Sequence, residues 1–145
     1  MTRVSLAEGF AAPGAHRLPV LQREVSVLMT PGVTSIVETA TIARVVDAFG
    51  AHRIHALLVT GTGTGRPLGW ITAWGLMGWL DGQLSAPARD AITEPAVAVR
   101  ATATGEEALK TMLREGVTHL IVRQRPSGGV EGVLSDRDLV SAPRR

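Results

Sequence analysis

The chain of 145 residues repeats itself without a gap. Residues 63 positions apart fall into register, as Gly132 does with Gly69. Thr30 matches Thr93, Thr39-Ala40-Thr41 matches Thr102-Ala103-Thr104, Leu57 matches Leu120, Val59 matches Val122, and Leu76 matches Leu139. A repeat of this length is longer than a solenoid rung and encodes a whole supersecondary unit. Two such units are expected to pack on each other, and the groove between them is the natural place for a ligand.

Each copy has the same internal order. In the first, residues 24–82, Thr34 to Val37 reads as a strand. Ile42, Val45, Val46 and Phe49 follow at helical spacing behind Thr41, an N-cap. Ala56 to Val59 is a continuous apolar strand, Leu68 to Thr72 the next strand, and Ala73 to Leu80 a second helix. In the second copy, residues 83–145, Val97 to Val99 is a strand. Thr104 and Glu107 form a capping box ahead of a helix faced by Ala108, Leu109, Met112 and Leu113. Leu120 to Val122 and Val130 to Leu134 are strands around a turn at Pro126 to Gly129, and Asp136 to Val140 is the last helix. Residues 1–23, rich in Gly and Pro, read as an N-terminal arm. The expected class is α+β: two β-α-β-β-α units packed as a pseudo-twofold pair.

Composition removes several functions. The chain has no Cys, so it makes no disulfide and has no thiolate chemistry. Its net charge of +2 is not gathered into a basic stripe, so no nucleic-acid partner is expected. No apolar run is long enough to span a membrane, and no signal peptide is visible, so a cytoplasmic location and no membrane association are expected. Charged residues, at 19%, fall below the usual share of about a quarter, which points to surface buried in a partner. Trp70, Trp74, Met77, Trp79 and Leu80 crowd one stretch. A short helix apolar nearly all round needs a second surface, and Trp74 to Leu80 is the expected homodimer face.

Gly61 to Gly65 lacks the Gly-Lys-Ser/Thr ending of a phosphate loop and leads into a strand, so it reads as a hairpin turn. His52 and His55 lack a third ligand, and no metal site is expected. No nucleophile has a base assigned to it, and no enzymatic activity is expected. Ser135 and Asp138, three apart at a strand-to-helix junction, put a hydroxyl and a carboxylate on one side. By spacing alone they either cap the last helix or face the hydroxyls of a ligand.

The ordered set Ile92-Thr93, Gly116-Val117-Thr118-His119-Leu120 and Gly132-Val133-Leu134-Ser135-Asp136-Arg137-Asp138-Leu139 resembles the CBS domain. In the first copy the same set is Leu28-Met29-Thr30-Pro31, Ile54-His55-Ala56-Leu57 and Gly69-Trp70-Ile71-Thr72. Two copies in tandem resemble a Bateman module, a regulatory fold that binds AMP, ADP, ATP or S-adenosylmethionine between its units and pairs into dimers. The resemblance implies that Ser135 and Asp138 hold a ribose. It implies phosphate contacts from Arg137, Thr118 and His119, and an adenine pocket from Met29, Thr30, Thr34, Ile54, His55 and Ala56. The second cleft departs from the pattern: Thr72 keeps the hydroxyl, but Gly75 stands where the aspartate should be. That site is expected to be degenerate. The expected function is a stand-alone regulatory module that needs no cofactor, takes an adenosine compound as regulatory ligand and signals to a partner protein. The alternative is a scaffold or dimerisation protein that has lost nucleotide binding.

Overall fold

The computed structural model describes residues 18–125 and 128–142, and shows a mixed α+β fold. Most of the arm, the tip of the second hairpin turn at Pro126-Ser127, and the last three residues lie outside that range. The first copy contains α1 (Val25–Leu28), β1 (Thr30–Pro31), β2 (Ser35–Val37), α2 (Ile42–His52), β3 (Ala56–Thr60), β4 (Pro67–Thr72) and α3 (Ala73–Leu76). The second contains β5 (Glu94–Pro95), β6 (Ala98–Arg100), α4 (Gly105–Glu115), β7 (His119–Arg123), β8 (Val130–Ser135) and α5 (Asp136–Val140).

Local chemistry sets the helix ends. Thr41 Oγ1 accepts from the Arg44 amide, and Thr104 and Glu107 close a full capping box. Gly116 ends α4 in the left-handed conformation, at φ 68°. Its counterpart ending α2 is Arg53, which holds φ 52° without glycine's freedom.

The expected helix over Ala73 to Leu80 is shorter. It is α-helical only to Leu76 and then tightens into a 3-10 turn over Met77–Trp79. Gly75 and Gly78, poor helix formers, interrupt the stretch. Trp70 and Leu76 are buried, whereas Trp74, Met77 and Leu80 are exposed, Trp74 at 82%.

Each unit carries a four-stranded sheet, in the orders β2-β3-β4-β5 and β1-β8-β7-β6. The outer strands are exchanged. β1 belongs to the first copy in sequence but pairs with β8, Thr30 opposite Val133. β5 opens the second copy but pairs with β4, Glu94 opposite Trp70. The segments leading into them cross as well. Val20 and Val25 are buried in the core of the second unit with Ala108, Leu120, Val122 and Leu134. Ala88 and Ala91 are buried in the core of the first with Ile42, Val45, Leu57 and Ile71. The described end of the arm therefore packs on its own chain. Gly105 makes this approach feasible, since a Cβ there would lie 2.3 Å from the Val20 carbonyl oxygen.

The strands β3 and β7 are covered on both faces, which explains their unbroken apolar runs. Leu57, Val59, Leu120 and Val122 face the helices. Ala56, Leu58, Trp70 and Ile121 form a third apolar layer that joins the two sheets. Burying each large aliphatic side chain contributes about 1.5–3 kcal/mol, so this shared layer fixes the units against each other.

Candidate functional site

A cavity of about 220 Å³ lies where the two units meet. One wall comes from Thr30 and Pro31 of β1, from Gly32, Val33 and Thr34 in the turn after it, and from Ile54, His55 and Ala56 at the start of β3. Trp70 of β4 closes the back. The other wall is His119 of β7, Val133 and Ser135 of β8, and Arg137 and Asp138 of α5. Nine sequence-identified residues thus share one cavity: Thr30, Thr34, Ile54, His55, Ala56, His119, Ser135, Arg137 and Asp138.

Ser135 and Asp138 do cap α5, but the cap uses only half of the carboxylate. The Ser135 amide donates to Asp138 Oδ2 at 2.8 Å and the Ser135 hydroxyl donates to the same oxygen at 3.2 Å. The Asp138 amide donates back to Ser135 Oγ. Among the described residues nothing is bonded to Oδ1, and Asp138 lines the cavity. Capping and ligand binding are therefore compatible in the same two residues.

Arg137 reaches across the cavity mouth, its Nη1 2.9 Å from His55 Nε2. Both side chains stand at the same end, exposed to solvent. His119 sits deeper, its ring 5.4 Å from that of Trp70 and tilted by 39°. Burial holds the His119 pKa below its ordinary 6.5, and His55 acts the same way. Glu94, Asp136 and Asp138 oppose this without overcoming it.

Two expected residues do not line the cavity. Met29 packs against the core of the second unit, its sulfur against Gly132. Thr118 is committed elsewhere: its amide and hydroxyl donate to the two oxygens of Glu94 at 3.0 and 2.6 Å. Pro31, Gly32, Val33, Trp70 and Val133 line the cavity without having been identified as site residues. A Pro-Gly dipeptide such as Pro31-Gly32 favours a turn and is the signal that could have located this stretch, and Gly32 takes the left-handed conformation at φ 76°. Glu94 carried no signal except its place next to Thr93.

The related position in the first unit is crowded by Thr93. Thr72 Oγ1 accepts from the Gly75 amide and lies 3.3 Å from Thr93 Oγ1. A Cβ on Gly75 would lie 2.4 Å from the Thr93 methyl. This place has neither an aspartate nor room for one. Among the described residues no group of three or more His, Asp or Glu side chains comes together as a metal site, and no helix is long and apolar enough to cross a membrane.

Comparison with known proteins agrees with this architecture. The family model for the CBS domain matches twice, at residues 23–82 and 88–145. A CBS domain protein from Pyrobaculum aerophilum, solved in complex with AMP, is 25% identical with a TM-score of 0.73, covering 84% of this chain and 93% of that one. The CBS domain of a bacterial CNNM/CorC family Mg2+ transporter, solved in complex with ATP, is 22% identical with a TM-score of 0.69, covering 81% and 84%. A hemolysin-like protein containing a CBS domain, from Oenococcus oeni, is 16% identical with a TM-score of 0.74, covering 83% and 89%. No curated protein sequence matched. The doubled sequence unit, the paired sheets and both family matches place the chain in the CBS domain family, as a tandem or Bateman module.

Proposed function

We propose that this protein is a non-catalytic regulatory module that binds an adenosine compound, AMP, ADP, ATP or S-adenosylmethionine, in the cavity between its units. The observation that carries the reading is Asp138, which lines a cavity walled by both copies and uses only Oδ2 in its hydrogen bonds among the described residues. A carboxylate there can accept from a ribose hydroxyl, with Ser135 beside it. Ile54, Ala56 and Val33 give flat apolar surface for a purine. Arg137, with His55 against it, meets the phosphate at the mouth. The AMP complex of the Pyrobaculum aerophilum relative supports the ligand class. One ligand per chain is expected, because the related place is filled by Thr93. A cytoplasmic setting goes with this reading, since free adenine nucleotides are held there.

The cavity walls come from both units, so a ligand that bridges them favours one arrangement over others, and a partner protein can read that difference. The exposed Trp74, Met77 and Leu80 suit a homodimer contact. The scaffold reading is favoured by one observation, the place in the first unit that has Gly75 for an aspartate and Thr93 crowded against it. Calorimetric titration with AMP, ATP and S-adenosylmethionine separates the two. Binding by the wild type and its loss in Asp138→Ala supports the module, and no binding of any of the three leaves the scaffold.

A further inference from the structure

We infer that a relay from Glu94 through Thr118 fixes the ring hydrogen of His119 on Nδ1 and leaves Nε2 as a hydrogen-bond acceptor toward the cavity, and that this acceptor recognises a hydroxyl or amino donor on the ligand. The relay follows from counting protons. An ionised carboxylate only accepts. The Thr118 hydroxyl lies 2.6 Å from Glu94 Oε2, so its single hydrogen is spent there. Thr118 Oγ1 also lies 2.8 Å from His119 Nδ1 and has only lone pairs left for it. Nδ1 must therefore carry the ring hydrogen, and Nε2 of the neutral ring is bare.

The ring is placed to use that lone pair. Among the described residues nothing is bonded to Nε2, and it is not a sealed-off atom as Trp70 Nε1 is. His119 lies directly opposite Ser135 in the β7–β8 ladder, so the two side chains share one face of the sheet. Both line the cavity. His119 is thus beside Ser135, the residue that Asp138 caps with, and it presents a second acceptor on the same wall of the cavity. A bare lone pair repels a phosphate oxygen, so the anionic end of a ligand is turned toward Arg137 instead. Burial works in the same direction by disfavouring the charged ring, against Glu94 from β5 and Asp136 and Asp138 from α5. His55, on the opposite wall with Arg137, adds to the burial effect. The relay also spans the fold: Glu94 is on an exchanged strand paired with β4, whereas His119 belongs to the other sheet.

The ligand part of this inference rests on the nucleotide reading, and its test separates the two. The first measurement is 15N NMR of the histidine rings in the ligand-free full chain at pH 7.5, with His119→Asn for assignment. The wild type is expected to show His119 with hydrogen on Nδ1. Thr118→Val, which is isosteric, and Glu94→Ala, which frees the Thr118 hydrogen to donate to Nδ1, are each expected to move it to Nε2. A wild-type His119 protonated on Nε2, or on both nitrogens, overturns the inference even if nucleotides bind. The second measurement compares binding of AMP, 2′-deoxy-AMP, 3′-deoxy-AMP and IMP. The analogue that lacks the recognised donor is expected to bind the wild type roughly five- to tenfold more weakly, the loss of one hydrogen bond. Thr118→Val is expected to erase that preference. A wild type that binds all three analogues as tightly as AMP, or losses that are all unchanged in Thr118→Val, overturn the inference. An Nδ1-protonated His119 in a protein that binds none of these compounds defeats the nucleotide reading alone, and leaves the acceptor in place for another donor-bearing ligand.

Discussion

Arg137 of the second unit donates from Nη1 to Nε2 of His55 in the first, 2.9 Å away across the mouth of the cavity. Arginine stays protonated, so His55 Nε2 is the acceptor in this pairing. A ligand phosphate competes for the same guanidinium. Arg137→Ala is therefore expected to weaken AMP and ATP by roughly ten- to hundredfold, the range of a charge-assisted hydrogen bond, and to leave adenosine nearly unchanged. Equal weakening of adenosine would move Arg137 away from the phosphate.

Acid should destabilise the fold partly through His119. Its folded pKa lies below the ordinary 6.5 because of burial, so below pH 6.5 the unfolded chain takes up a proton that the folded chain resists. The stabilising contribution is present above pH 6.5 and is lost as pH falls from there through the folded value. Urea denaturation at pH 7.5, 6.5 and 5.5 is expected to show this loss, and His119→Asn should flatten it.

The two copies differ at the end of their first helix, and the difference has a measurable cost. Arg53 holds φ 52° where the second copy uses Gly116 at φ 68°. Arg53→Gly is expected to stabilise the protein by about 0.5–1 kcal/mol, and Gly116→Ala to destabilise it by about 1 kcal/mol. Chemical denaturation midpoints report both.

Restoring the missing aspartate should not restore a second site. The Gly75→Asp side chain would begin 2.4 Å from the Thr93 methyl. The variant is expected to lose about 1–3 kcal/mol of stability through overpacking and to keep a calorimetric stoichiometry of one. A stoichiometry of two would show that Thr93 moves aside easily.

Trp74→Glu is expected to turn a dimer into a monomer in sedimentation equilibrium without lowering the thermal midpoint of the monomeric fold. Trp74 is 82% exposed, so its replacement removes little from the core. A wild type that is already monomeric would remove this face from the proposal.

Signals carried by neighbouring residues were readable without coordinates. The unbroken runs Ala56 to Val59 and Leu120 to Val122 mark strands covered on both faces. Thr41 and the Thr104–Glu107 pair mark helix starts, and the structure has all of them there. Ser135 and Asp138 were identified with both of their roles open, and the geometry lets them fill both. What could not be read depends on residues far apart in sequence. β1 and β5 are two residues long, too short for any periodicity, and their partners lie in the other copy. Glu94 removes Thr118 from the cavity wall from 24 residues away, and no local pattern announces that contact. The apolar residues from Ala73 to Leu80 outweigh the two glycines among them in sequence, so the pattern predicts a longer helix than the one that forms.

The crossed lead-ins mean that neither copy is a self-sufficient domain. Each sheet would have a bare outer edge without the strand lent by its twin, and bare edges invite unwanted pairing. Severing the chain between the copies should give fragments that fold only when mixed.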